Sequence, residues 1–176
     1  MIIRPADLAD LNACLLIDHA AYTDHVWQMQ VQEAESQMGV VFQTVRLPRR
    51  MQVEYPRNLE QLVEHWQLGE TLLVAEHDGE VRGYIDMMSQ AWQGAGWITN
   101  LAVERAYRRR GIGTALVRHA RQWARGEGMH FLQAEATTKN YPALSFYRKL
   151  GFQFCGFHDH YYANQDIALF FVQTLR

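Results

Sequence analysis

The chain has 176 residues, the size of one ordinary domain and enough to bury a large core without a metal or a disulfide scaffold. Hydrophobic residues make up 48% of the sequence, which is too apolar for a disordered chain. The formal net charge of −2 argues against a protein that coats nucleic acid, and 2 cysteines are too few for a cysteine zinc site. We therefore predict a single domain over residues 1–176 with no nucleic-acid partner.

Three features of the sequence bear on where the protein is located and on whether it binds a metal. The amino terminus, MIIRPADLAD, lacks the basic and then apolar order of a secretory signal. No run of about 18 apolar residues predicts a membrane span. His158 and His160 are two potential ligands without a third. We therefore expect a cytoplasmic protein with no metal and no membrane contact.

In the first part of the chain, the sequence predicts two helices, one on each side of a segment whose apolar residues show no regular spacing. Ile2 and Ile3 begin a short strand, and leucines at helical spacing predict a helix over 7–20. Apolar residues in 26–57 are scattered among Gln and Arg, so we expect an irregular, lid-like segment there. A second helix is predicted over 58–69.

From residue 71 onward, strands alternate with helices. An Asp-Gly pair predicts a hairpin between strands 71–76 and 81–88, and a third strand covers 96–103. Further strands are predicted at 131–136, 152–157 and 166–172, and helices at 112–124 and 140–150. This order predicts an α/β fold of the mixed α+β kind, with helices on both faces of a mixed sheet.

One motif lies directly between a predicted strand and a predicted helix: Arg108-Arg109-Arg110-Gly111-Ile112-Gly113-Thr114. Glycines let a backbone approach a ligand closely, and the free N–H groups of a helix start suit a phosphate. The lysine of a P-loop and the third glycine of a Rossmann fingerprint are both missing. A helix start with solvated arginines remains the alternative.

A second motif runs from Asn140 to Phe152. Asn140 caps a predicted helix, and Gly151 ends it. One face of this helix carries Ala143, Phe146, Tyr147 and Leu150. Taken alone, a tyrosine in such a helix is more often a core aromatic residue whose hydroxyl has a hydrogen-bond partner.

Together, the two motifs resemble the GNAT superfamily of acyl-CoA-dependent N-acyltransferases. Arg108-x-x-Gly111-x-Gly113 matches the pyrophosphate-binding signature of that family, and Leu101-Ala102-Val103 matches the strand before it. The resemblance extends from about residue 71 to the end of the chain. It implies a central, mostly antiparallel sheet of six to seven strands, splayed between strands 4 and 5 where pantetheine inserts.

The resemblance also implies a mechanism, with acetyl-CoA as cosubstrate and direct attack by an amine in a ternary complex. Tyr147 would protonate the leaving thiolate, and Glu135 would be the base, with the histidines of the tail hairpin as second candidates. Glu135 as an ordinary strand carboxylate stays open. The residues implied to bind the cofactor are Leu101, Ala102, Val103, Arg108, Arg109, Arg110, Gly111, Ile112, Gly113, Thr114, Asn140, Ala143 and Phe146. The family is often dimeric, so a homodimer also stays open.

A finer likeness concerns the amine acceptor. Residues 89–94 and the tail over 156–171 are similar to streptothricin acetyltransferases, although Thr99 and Asn100 stand where we would expect acidic residues. The tail is also similar to peptide N-terminal acetyltransferases. We predict acetylation of a primary amine of a small molecule, such as an amine-bearing antibiotic. Acetylation of a protein N-terminus or lysine, and a non-catalytic acyl-CoA sensor, are the alternatives.

Overall fold

Residues 1–175 are described by a computed structural model that contains a seven-stranded sheet, a separate two-stranded hairpin and four α-helices. The strands of the sheet are β1 (Ile2–Pro5), β4 (Thr71–His77), β5 (Glu80–Gln90), β6 (Ala95–Val103), β7 (Phe131–Thr137), β8 (Gln153–His158) and β9 (Ala168–Thr174). The hairpin is formed by β2 (Ala21–Ala34) and β3 (Gln37–Val53). The helices are α1 (Leu8–Leu16), α2 (Glu60–Gln67), α3 (Ile112–Gly126) and α4 (Tyr141–Lys149). None of these helices, within residues 1–175, is long and apolar enough to cross a membrane.

The main sheet has the strand order β1-β4-β5-β6-β7-β9-β8. Every neighbouring pair is antiparallel except β6 and β7, which are parallel. The predicted mixed, mostly antiparallel sheet is therefore confirmed. The parallel pair follows from the connection, because α3 carries the chain across the sheet between β6 and β7.

Strands β6 and β7 form a fork. They pair only from Ala95 with Phe131 to Ile98 with Ala134, and beyond Ile98 the strand β6 has no partner on its β7 side. Thr99 is an extra residue in β6 at a bulge opposite the step from Asp86 to Met87, and bulges of this kind bend a strand. In sheet order these are the fourth and fifth strands, as the family resemblance implied.

Helices cover both faces of the sheet, because β4 and β5 each contain a run of consecutive buried residues, and successive side chains of a strand point to opposite faces. Tyr84 of β5 packs toward α1 and α2, where Leu11 and Leu62 are buried. The next residue, Ile85, points the opposite way and packs with Leu116 of α3. The segments around the fork are therefore held by packing on both sides.

The expectation of an irregular segment over 26–57 is wrong. Most of it belongs to the β2–β3 hairpin, paired from Ala21 with Val53 to Ala34 with Gln37. Its far end is exposed on both faces, so no alternation of apolar and polar residues marks it as a strand. Only a few side chains, among them Trp27 and Phe42, pack against the main core.

The first helix is shorter than predicted. It begins after Asp7, whose side chain caps it, and ends at Leu16 instead of continuing to residue 20. Ile17 closes the helix with a hydrogen bond to the carbonyl of Cys14, and the chain then turns toward β2.

Candidate active site

The fork between β6 and β7 opens into a cavity of about 60 Å³. Its walls come from both arms of the fork, from α4, and from the loops that precede α2 and β9. The lining residues are Tyr55, Pro56, Arg57, Ile98, Thr99, Leu101, Glu135, Ala136, Thr137, Asn140, Ala143, Tyr147 and Tyr162. Five residues predicted from the sequence therefore share one cavity: Leu101, Glu135, Asn140, Ala143 and Tyr147.

The other predicted cofactor-binding residues lie at the outer end of β6 and at the start of α3. Val103 ends β6, and an added Cβ on Gly113 would lie 3.9 Å from its side chain. Phe146 of α4 also faces Gly113, so α3 and α4 meet at this point. Ala102 differs from its neighbours, since it is buried in the cluster under α1 and α2.

The turn over 108–114 presents the start of α3 without a side-chain cap. Gly111 has a φ of 87°, a left-handed conformation that favours glycine, and Arg109 in the same turn has a φ of 66°. The first N–H groups of a helix lack partners within the helix, and the helix dipole makes this end attractive to an anion. This geometry suits the pyrophosphate group that the family resemblance implies here.

The guanidinium of Arg108 is hydrogen-bonded to backbone carbonyls. It donates to the carbonyl of Val103 at 2.9 Å and to that of Ala20 at 2.8 Å. These bonds join the end of β6 to the chain segment that follows α1. We therefore expect Arg108 to support the turn. Arg109 and Arg110 are exposed and can meet phosphate oxygens, although the guanidinium of Arg110 lies 5.1 Å from the centroid of the Tyr107 ring.

Glu135 is the first β7 residue beyond the paired part of the fork, and its carboxylate is almost fully buried. One oxygen accepts a bond from Arg57, and the other accepts from the indole N–H of Trp97 at 2.6 Å. Burial raises the pKa of Glu135 above its ordinary value, although the nearby Arg57 and Trp97 donors oppose that rise. A carboxyl group with a raised pKa is suited to take and release a proton near neutral pH.

Tyr147 lies on the α4 side of the same cavity and is 5% exposed. Its ring packs edge-on against Phe152, with 5.4 Å between ring centroids. Burial raises the pKa of Tyr147, and the charge of Glu135 adds to the rise. The hydroxyl therefore keeps its proton at neutral pH, as a general acid must.

Comparison with known proteins identifies the family. The model of the acetyltransferase (GNAT) family matches residues 41–152, which is more than half of the chain. The chain belongs to the GNAT family. Streptothricin acetyltransferase of Streptomyces lavendulae is 37% identical over 86 residues, covering 49% of this chain and 46% of that protein. The chain thus matches about half the length of that relative.

Further relatives and solved structures are similar to larger parts of this chain. An N-alpha-acetyltransferase of Sulfurisphaera tokodaii is 35% identical over 119 residues, covering 60% of this chain and 71% of that protein. The crystal structure of nourseothricin acetyltransferase has a TM-score of 0.85 at 23% identity, over 99% of this chain and 98% of that one. A Bacillus anthracis structure in complex with acetyl coenzyme A has a TM-score of 0.79 at 21% identity, over 98% of both chains. These structures establish the GNAT fold.

Several residues of the site were not predicted from the sequence. Arg57 and Tyr55 reach the cavity from the loop before α2, and Tyr162 reaches it from the loop before β9. Tyr162 lies 5.8 Å from the Arg57 guanidinium, in a cation–π arrangement. Asp86 does not line the cavity, but it has a visible signal in the sequence, because it lies between the apolar pairs 84–85 and 87–88 of β5, and a charged residue in a central strand needs a partner.

Gly113 provides a test of the predicted pyrophosphate-binding turn over 108–114. A Cβ at this position would lie 3.3 Å from the Phe146 ring, so Gly113→Val should displace the first turn of α3 from α4. We expect the dissociation constant for acetyl-CoA to rise about tenfold, which corresponds to ~1.4 kcal/mol. Calorimetric titration measures it. Gly126→Val is the control, since nothing lies within 4 Å of its added Cβ. Unchanged binding by folded Gly113→Val would remove this turn from the cofactor site.

Arg57 provides a test of the buried ion pair. Breaking such a pair by removing one partner leaves a buried charge uncompensated, which typically costs ~3 kcal/mol or more. Arg57→Met should therefore lower the free energy of unfolding by about 3 kcal/mol in a denaturant titration. The exposed Arg125→Met is the control and should change it little. Equal stabilities of the two variants would contradict a buried Arg57–Glu135 pair.

Proposed function

We propose that this chain is an acetyl-CoA-dependent N-acetyltransferase that acts on the primary amine of a small molecule. The observation that carries the proposal is the meeting of Tyr147 and Glu135 in one cavity of the β6–β7 fork. The uncapped start of α3 lies close by, next to Val103 and Phe146. An acid, a carboxylate and an anion-binding turn are what transfer from a CoA thioester to an amine requires.

The cosubstrate would bind along the unpaired part of β6. Backbone groups of residues 99–103 that face the open side of the fork are available to an extended pantetheine chain, except for the carbonyl of Val103, which accepts a bond from Arg108. We propose that N–H groups near Leu101–Val103 stabilise the oxyanion, with the pyrophosphate at the turn over 108–114. The acetyl coenzyme A bound by the structurally similar Bacillus anthracis protein supports this choice.

We propose direct attack by the amine in a ternary complex. A lysine-like amine has a pKa of about 10.4, so a base is needed to give the neutral nucleophile at pH 7. Glu135 is the proposed base, and Tyr147 is the acid that protonates the leaving thiolate. A covalent acyl-enzyme is not part of this proposal, since neither Cys14 nor Cys155 lines the cavity.

The acceptor we propose is a small cationic amine. The aromatic rings of Tyr55 and Tyr162 line the cavity and form walls on which an alkylammonium chain can rest, while Arg57 balances the charge of Glu135. The antibiotic named in the streptothricin acetyltransferases supports an acceptor of this type. The N-alpha-acetyltransferase relatives support a protein N-terminus as the second candidate.

A direct comparison of acceptors separates these candidates. Purified protein and acetyl-CoA are incubated with streptothricin, a linear polyamine or a short peptide with a free amino terminus, and the acetylated product is measured by mass spectrometry. We expect kcat/KM to be at least tenfold higher for one of the small amines than for the peptide. A higher kcat/KM for the peptide would replace the proposed acceptor by a protein N-terminus.

A further inference from the structure

A second buried carboxylate lies behind the β6 arm of the fork. Asp86 of β5 is fully buried, and its Oδ2 accepts three hydrogen bonds: from His65 Nδ1 at 2.7 Å, from Thr99 Oγ1 at 2.6 Å and from Asn100 Nδ2 at 2.7 Å. Its other oxygen, Oδ1, is buried and has no hydrogen-bond partner within residues 1–175. Burying a carboxylate with an unpartnered oxygen is costly, so this arrangement suggests a function for Asp86.

Thr99 connects this carboxylate to the cavity. It is the bulge residue of β6, it lines the same cavity as Glu135 and Tyr147, and its hydroxyl hydrogen is directed to Asp86. A hydroxyl has one hydrogen and two lone pairs, so the oxygen of Thr99 is still able to accept a proton. It can accept one proton on the cavity side while it gives its own to Asp86.

The proposed reaction requires two proton acceptors. A primary ammonium loses two protons when it becomes an amide, one before attack and one after it. Glu135 can take only one of them, and both of its oxygens already accept bonds from Arg57 and Trp97. Glu135 and Thr99 lie on opposite arms of the fork, so each can face the same nitrogen atom.

We propose that Thr99 and Asp86 form a proton path that accepts one of the two protons of the acceptor amine. This inference rests on the proposed N-acetyltransferase function. Asp86 acts through Thr99, and His65 and Asn100 are positioning residues that hold the carboxylate in place. The acidic residue expected in β6 is thereby replaced by one on the neighbouring strand, because Asp86 pairs directly with Asn100.

The steps balance as follows in protons and bonds. Glu135 first takes one proton of the ammonium, which gives the neutral amine. Attack then forms the N–C bond and breaks the π bond of the thioester carbonyl, and one N–H proton moves to Thr99 Oγ1 while the hydrogen of that hydroxyl moves to Asp86 Oδ2. The C–S bond then breaks, and the sulfur takes the proton of Tyr147. Once the products have left, the two carboxylates lose their protons, one of which restores Tyr147 while the other goes to solvent.

Two variants of Thr99 separate proton transfer from packing. Thr99→Val keeps the shape of the side chain and removes the hydroxyl, whereas Thr99→Ser keeps the hydroxyl and removes the methyl group. We expect Thr99→Val to lower kcat roughly tenfold, at the weak end of the range for general base catalysis. Thr99→Ser should be at least about fivefold faster than Thr99→Val. Both should keep the wild-type dissociation constant for acetyl-CoA.

The experiment measures kcat for wild type, both Thr99 variants, Asp86→Asn and the double variant Thr99→Val/Asp86→Asn, with one small amine. Because both residues serve one path, kcat of the double variant should be at most about twofold lower than kcat of the slower single variant. Equal rates for Thr99→Val and wild type, or for Thr99→Val and Thr99→Ser, would overturn the proton path alone. If Thr99→Val does not fold, Thr99→Ala replaces it. A folded wild-type protein that acetylates no amine would overturn the proposed function together with the path.

Discussion

Tyr147→Phe should lower kcat about 100-fold, because general acid catalysis is typically worth ~10²–10⁴-fold. Tyr147 lines the cavity, and burial raises the pKa of its hydroxyl, so the hydroxyl is protonated at neutral pH. The ring itself packs against Phe146 and Phe152, and phenylalanine keeps those contacts. The variant should therefore fold with nearly wild-type stability and bind acetyl-CoA normally. Steady-state kinetics at saturating acetyl-CoA measure the effect.

A change of leaving group provides the control for this prediction. A thioester whose thiol has a much lower pKa than that of CoA releases its thiolate without a proton, so its transfer should be much less affected by Tyr147→Phe. A free thiol has a pKa of about 8.5, which is why the natural leaving group benefits from an acid. Wild-type turnover of acetyl-CoA by Tyr147→Phe would show that Tyr147 is not the acid. A variant that fails to fold would assign the hydroxyl to the core.

Glu135→Gln should also lower kcat by about 100-fold at pH 7, because the amide cannot accept the proton of the acceptor. Glutamine keeps the shape of the side chain, so acetyl-CoA affinity of the folded variant should stay near the wild-type value, although loss of the ion pair with Arg57 should lower its stability. The loss should shrink as the pH rises toward the pKa of the amine, about 10.4 for a lysine-like acceptor, because neutral amine is then present without help from a base.

The acidic side of the pH profile provides a second measurement on Glu135. A base must be deprotonated to act, so activity falls as the pH decreases through its pKa in the folded protein. Burial raises that pKa, and the inflection should therefore lie above the ordinary glutamate value of about 4.3. The inflection should be absent in Glu135→Gln. A loss of rate that does not depend on pH would instead make Glu135 a group that orients the acceptor.

The parts of the fold that the sequence predicts best are those encoded by local motifs. The glycine turn before α3 and the helix that carries Tyr147 each lie within about a dozen consecutive residues, and both occur where predicted. Their position beside the β6–β7 fork followed from the family resemblance. The role of each residue in the site stays a prediction that the variants above test.

The parts that the sequence did not predict depend on contacts between distant residues. Arg57 reaches Glu135 across 78 positions, and Tyr55 reaches Asn100 across 45. The pairing of Asp86 with Asn100 depends on the register of β5 and β6, including the bulge at Thr99. The β2–β3 hairpin was missed for a different reason, since its exposed far end has no buried face to impose a pattern of apolar residues.

The most direct test of the central proposal is the release of free thiol from acetyl-CoA by the wild-type protein, with and without a primary amine. An N-acetyltransferase that works in a ternary complex should release thiol only when the amine is present, in equal amount to the acetylated product. We expect the rate to saturate with both acetyl-CoA and amine. Tight binding of acetyl-CoA without amine-dependent thiol release would contradict the proposal, and would identify the chain as a non-catalytic acyl-CoA sensor.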